Sequence, residues 1–149
     1  MDNIMGHSVF DVASGRGYMV EKIYEAGYEV MGTDIVLSEE QKKLNRYTEG
    51  NIVNLPFADK SYDTVICTHV LEHIRDYRRA ISEVIRVTNK RLIVVIPKQR
   101  EGKYTPDLHV NFCPYIYRFK QFLKEGGLKI DEADFFELDM DFVCVYDVR

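Results

Sequence analysis

The 149-residue sequence predicts an α/β three-layer sandwich: a mostly parallel sheet of about seven strands, helices on both faces, and an antiparallel C-terminal hairpin. Three observations predict it. Apolar, β-branched runs alternate with helix-period segments along most of the chain. The run RLIVVI at 91–96 is nearly all apolar, as a strand covered on both faces requires. After Leu128 the alternation stops, and two extended runs meet at a tight LDMD turn, hence antiparallel.

Each element has its own signal. Val9–Val12 is the first strand. Tyr18–Ala26 reads as a helix with Met19, Ile23 and Tyr24 inward and Gly27 as its stop. Tyr28–Thr33 is a second strand, ending in Asp34. Ser38-Glu39-Glu40-Gln41 is a capping box that starts a helix. The irregular passage Gly50–Phe57 is expected to hold a brief third strand. Tyr62–Thr68 is strand-like, and Asp76 caps a helix whose inner face is Tyr77, Ala80, Ile81, Val84 and Ile85. The charges at Arg75–Arg79 read as its solvated face. Pro97 ends the strand at 91–96, and a long connection, Lys98–Cys113, follows. Pro114 is expected at the first position of a helix with Tyr115, Ile116, Phe119, Phe122 and Leu123 inward and Gly126 as the stop. Leu128–Leu138 and Phe142–Val148 are the hairpin strands.

Composition narrows the function. Hydrophobic content of 46% and charged content of 30% fit one globular domain over 1–149. A net charge of -4 gives no basic surface for broad nucleic-acid binding. No apolar run is long enough to cross a bilayer, and MDNIMGHS does not read as a signal peptide. Three widely spaced cysteines, Cys67, Cys113 and Cys144, suggest reduced thiols and a cytoplasmic location. No His and carboxylate cluster has metal-ligand spacing along the chain, so no metal is expected.

The chemistry lies where the first strand hands over to the first helix. Gly15 and Gly17 there let backbone approach a ligand. The dinucleotide fingerprint G-x-G-x-x-G needs a third glycine, and Val20 stands in its place. Asp34 follows Gly17 by 17 residues, where a carboxylate can accept both hydroxyls of a ribose. NAD and S-adenosylmethionine both carry such a ribose, so Asp34 leaves both open.

FDVASGRGY resembles motif I of the class I S-adenosylmethionine-dependent methyltransferases, roughly D-x-G-x-G-x-G, with Ala13 in place of the first glycine. The stretch EGNIVNLPFADKSYDTVICTHVLEHIRDYRRAISEVIRVTNKRLIVVIPK is similar to the middle section of that family, with the Leu-Pro-Phe, Tyr-Asp and Leu-Glu-His segments at its spacing. The likeness spans roughly residues 8 to 130 and implies a Rossmann-like fold that ends on an antiparallel strand. It implies S-adenosylmethionine as cofactor, with S-adenosylhomocysteine as product. By position, Asp11 would support the turn and the cofactor's ammonium. Ala13, Ser14, Gly15 and Gly17 would shape the turn around the methionine moiety. Asp34 would take the ribose and Ile35 would lie on the adenine. Asn51, where the family has Asp, would contact the adenine amino group, with Ile52 on the other ring face. Cys67 and Thr68 would offer backbone carbonyl to the ammonium. The family carries lid helices before motif I, whereas about seven residues precede the first strand here. A second copy or a partner chain would then complete the lid.

Methyl transfer from a sulfonium is an in-line displacement that needs alignment and exclusion of water, so no catalytic triad is expected. His69, after the fourth strand, and His109, in the long connection, are the candidates for a base or substrate contact. Tyr104 and Tyr117 are candidate pocket walls, and Glu72 and His73 read as structural. The Leu-Glu-His subgroup implies a small-molecule acceptor. A non-catalytic binding module and an NAD(P)-dependent oxidoreductase are the alternatives.

Overall fold

The computed structural model of the chain describes residues 3–101 and 108–148. Seven strands form one sheet: β1 (Ser8–Val12), β2 (Glu29–Asp34), β3 (Tyr47–Glu49), β4 (Tyr62–Thr68), β5 (Thr88–Pro97), β6 (Ala133–Leu138) and β7 (Asp141–Asp147). Their order across the sheet is β3-β2-β1-β4-β5-β7-β6. The pairs β1–β2, β1–β4, β2–β3 and β4–β5 are parallel, while β7 runs antiparallel to both β5 and β6. The strand order turns back between β1 and β4, which puts the ligand-binding crevice of such a sheet at the carboxyl ends of these two strands.

The described residues form four α-helices: α1 (Tyr18–Glu25), α2 (Glu39–Lys42), α3 (Tyr77–Val87) and α4 (Ile116–Glu125). The period-2 alternation of β1 splits its side chains between two cores. Phe10 and Val12 join the larger core, with Val65, Cys67, Leu92, Val94, Ile96 and Cys144, under Ala80, Ile81, Val84, Phe119 and Leu123 of α3 and α4. Val9 joins the smaller one, with Val20, Ile23, Val30, Tyr47 and Ile66, under α1. Asp11 shares that second face and is 6% exposed. α3 matches the expected stripe, with Ala80, Ile81, Val84 and Val87 fully buried and Tyr77 and Ile85 packed beside them.

Several elements differ from the sequence reading. The third strand is Tyr47–Glu49, pairing in parallel with Gly32–Asp34, and Gly50–Phe57 is a turn-rich loop with one bridge between Asn51 and Asn54. The buried face of α1 is Val20 and Ile23, whereas Met19 and Tyr24 are 42% and 54% exposed. Both spacings are apolar, and packing selects Val20 because it meets β2 at Gly32. Tyr115 is the N-cap of α4 and is exposed, which puts Pro114 one position before the cap. Residues 130–132 form a 3-10 turn, so β6 begins at Ala133. β5 alternates fully and partly buried residues, because its second face is less covered.

Arginines of α3 fix the loop between β3 and β4. Arg79 Nε donates to the Val53 carbonyl at 2.7 Å, and Arg86 donates to the carbonyls of Phe57 and Leu55 at 2.7 and 3.2 Å. Glu83 accepts the Leu55 N–H at 2.7 Å and pairs with Arg86. Arg79 is therefore a loop clamp and not part of a merely solvated face.

Candidate active site

The turn after β1 is built from both sides. The Ser14 N–H donates to the Thr33 carbonyl at 2.8 Å, and the Gly17 N–H closes back on the Ser14 carbonyl. From the end of β2, Asp34 Oδ2 accepts the Gly15 N–H at 2.8 Å and Oδ1 accepts the Ile35 N–H at 2.7 Å. The Ser38–Gln41 capping box of α2 is present, and the Gln41 carboxamide also donates to the Gly15 carbonyl at 2.9 Å. Gly17 has φ 79°, and a Cβ there would lie 2.1 Å from the Tyr47 hydroxyl, so no side chain fits. Tyr47 in turn donates to Glu21, which Arg46 grips through two bonds at 3.0 and 2.7 Å. Gln41 and Tyr47 are positioning residues that the sequence reading did not single out. Only the cap role of Gln41 has a local signal.

Asp11, Ala13, Ser14, Arg16, Tyr18, Met19 and Thr68 line one cleft at the carboxyl ends of β1 and β4. Burial pushes the Asp11 carboxyl up to about 7, and the nearby Asp34 charge adds to the rise. Ala13 has φ 54°, the left-handed region that its counterpart glycine would occupy without strain. The hydroxyls of Ser14 and Thr33 are buried with no hydrogen-bond partner among the described residues. Ile35 and Val36 are 66% and 74% exposed beside Asp34, which offers an open apolar surface for a ring.

The remaining cofactor candidates are placed less openly. Asn51 Oδ1 accepts the Val53 N–H at 3.1 Å, so one of its lone pairs is used inside its own loop. The Ile52 side chain is buried in the larger core and does not stand free as a ring cover. The Cys67 side chain points into the same core, and burial raises its thiol well above the ordinary range. This leaves Cys67 no role as a nucleophile.

His69 follows β4 at φ 54°, with its N–H donating to the Val95 carbonyl at 3.0 Å. Its Nδ1 lies 3.5 Å from Glu72 Oε1 and its Nε2 3.3 Å from Asp141 Oδ2. Asp141 belongs to the hairpin, far from His69 in sequence, and no local signal connects them. The bond to Glu72 foremost, with the Asp141 charge behind it, raises the His69 pKa despite partial burial. His109 is brought to the same turn. Its ring meets His73 edge to face at 4.6 Å, and its Nδ1 contacts the Gln99 carboxamide oxygen. Tyr117 is exposed and stacks on Tyr115, and Tyr104 lies outside the described residues.

Residues 10–96 match the family model of a methyltransferase domain. A demethylmenaquinone methyltransferase of Paenarthrobacter aurescens (strain TC1) is 33% identical over 93 residues, 59% of this chain and 37% of that protein. The chain thus spans well under two thirds of the length of such curated relatives. Among solved structures, a protein of Pyrococcus horikoshii OT3 superposes with a TM-score of 0.72 at 19% identity, over 97% of this chain and 83% of that one. A magnesium protoporphyrin IX methyltransferase from Synechocystis PCC 6803, with bound S-adenosylhomocysteine, gives 0.70 at 20% identity, over 99% and 77%. At these identities, the two structures speak for the fold.

Two outcomes test the turn. Asp11 holds its proton more tightly folded than unfolded, so its contribution to stability falls as pH rises from about 4 through about 7. Asp11→Asn should therefore leave stability near wild type at pH 4 and raise it at pH 8, by on the order of 2–4 kcal/mol in urea denaturation. Ala13→Gly should relieve the left-handed strain and raise stability by about 0.5–1 kcal/mol in the same measurement.

Proposed function

The chain belongs to the class I S-adenosylmethionine-dependent methyltransferase family, and from that premise we propose that it binds S-adenosylmethionine at the turn after β1 and methylates a small-molecule acceptor. The observation that carries the reading is the placing of two carboxylates, Asp11 and Asp34, close together beside the Gly15–Gly17 turn. Asp34 suits a ribose diol, and a buried acid at Asp11 suits a positively charged tail. Asp34 suits the ribose of either cofactor, so the weight against the nicotinamide alternative falls on Asp11, a buried acid that a dinucleotide pyrophosphate would meet at the turn.

The residues present fit such a cofactor. Asp34 keeps carboxylate lone pairs beyond its two backbone bonds and would accept the ribose hydroxyls. Ile35, with Val36 beside it, would lie against the adenine. Asn51 and the Ile52 backbone would meet its edge. Asp11, with the backbone carbonyls of Cys67 and Thr68, would hold the ammonium, while Ala13, Ser14, Gly15 and Gly17 keep the turn close. When bound, the cofactor supplies a methyl group made electrophilic by its sulfonium and leaves as S-adenosylhomocysteine. The chain's own residues align the acceptor and exclude water. His69 and His109 are the side chains we assign to the acceptor side.

An open apolar strip adjoins the cleft through Met19 and Thr68 and is lined by Ile4, Ile23, Ile66, Ile93 and Val95. It gives a covering segment or partner chain an apolar surface to close on. No described helix is long and apolar enough to cross a membrane, and the three cysteines are free and buried, which supports work in the reducing cytoplasm.

Calorimetry tests the cofactor. S-adenosylhomocysteine should bind, Asp34→Ala should weaken binding at least about tenfold through the lost charge-assisted bonds, and NADH should not bind. Binding of NADH in place of S-adenosylhomocysteine would overturn the reading. Once an acceptor is found by screening, His69→Ala should lower kcat by about 10²-fold or more while S-adenosylhomocysteine affinity stays within a few-fold of wild type.

A further inference from the structure

We propose that Glu72, His73 and His109 form a binding site for one divalent cation of the zinc class. Each offers one ligand atom, and these atoms lie within 4.8 Å of one another. Ligands about 2.0–2.1 Å from a tetrahedral zinc stand about 3.3 Å apart, so closure needs a shift of about 1–1.5 Å. His73 is exposed and can supply that movement by a side-chain rotation.

A second, independent observation points to a cation. Glu72 is 1% exposed, and its Oε2 is buried with no hydrogen-bond partner among the described residues. A buried carboxylate oxygen in that state needs compensation, and a bound cation beside it provides the strongest kind. Hydrogen bonds also fix the geometry in advance. The N–H groups of Val110 and Asn111 donate to the Glu72 carbonyl at 2.8 and 3.0 Å. The Asn111 carboxamide donates to the carbonyls of Leu71 and Ile74 at 2.8 and 2.7 Å. These bonds lock the connection onto the 3-10 turn Leu71–His73, which sets His109 over it. The contact of His109 Nδ1 with Gln99 is an outer-shell partner of the sort that holds a ligating imidazole in orientation.

Two imidazoles and one carboxylate favour zinc, cobalt or nickel over magnesium or calcium. Three protein ligands leave a coordination position open. The sequence spacing led to the opposite expectation because His109 joins the adjacent pair from a distant connection. The ion would staple the connection to the turn and partner Glu72, which also faces His69. The inference stands independently of the cofactor reading.

The test uses chelator-treated full-length chain. Zn²⁺ titrated by calorimetry should bind at one per chain, with affinity cut at least about tenfold in His73→Ala and in His109→Ala. His73→Ala, at an exposed position, should keep the wild-type circular dichroism and metal-free Tm, so a folding defect in Glu72→Gln would not obscure the result. Co²⁺ should give visible d–d bands without a thiolate charge-transfer band, which separates this site from the cysteines. Absence of Zn²⁺ binding, wild-type affinity in either histidine variant, or a thiolate band on Co²⁺ would each overturn the proposal.

Discussion

Asp34 reaches from the end of β2 to the turn after β1, where its carboxylate accepts the Gly15 N–H at 2.8 Å, and the rest of the site depends on that bond. A turn with backbone in the left-handed region at Ala13, Gly15 and Gly17 has few conformations that neighbours would hold unaided. Here it is restrained from three directions: the Thr33 carbonyl and Asp34 from β2, Gln41 from the α2 cap, and Tyr47 from β3. In the proposed function, the clamp and the ligand-binding surface would be the same atoms. Once Asp34 is set by the Gly15 and Ile35 N–H groups, its remaining lone pairs are aimed without further side-chain ordering on binding, and that lowers the entropic cost of capture.

The same economy raises the energetic cost of Asp11. Its place on β1 puts the carboxyl on the α1 face, one residue out of phase with Phe10 and Val12 of the larger core, where water is scarce and Asp34 is near. A hydrophobic residue there would stabilise the free chain. An acid at such a position, where burial and a like charge both act against its ionised form, fits the cationic ligand proposed for the turn. Glu72 repeats the theme one strand along, as a buried acid on the turn after β4 with histidines gathered around it.

The strand and helix alternation was legible in the sequence because strands in the middle of the sheet need continuous apolar runs and the long helix α3 needs a single stripe. The short edge strand β3 was not, since three residues paired on one side carry no periodic signal. Nor was the inner face of α1, where Met19 and Val20 are both apolar and only contact with β2 chooses between them. The turn and Asp34 could be named in advance from local chemistry and spacing, and the Leu-Glu-His segment from the family resemblance. Asp141 on His69, His109 over Glu72, and Gln41 on Gly15 join residues from different elements, and only the folded chain brings them together.

Proton release on S-adenosylhomocysteine binding tests the central claim, that the turn is an acidic seat for a cation-bearing nucleoside, most directly. Calorimetry at pH 6.5 in two buffers of different ionisation enthalpy reads it. With the free Asp11 carboxyl near 7, the account predicts release of more than half a proton in the wild type and close to none in Asp11→Asn. Binding without proton release, or with equal release in Asp11→Asn, would contradict it.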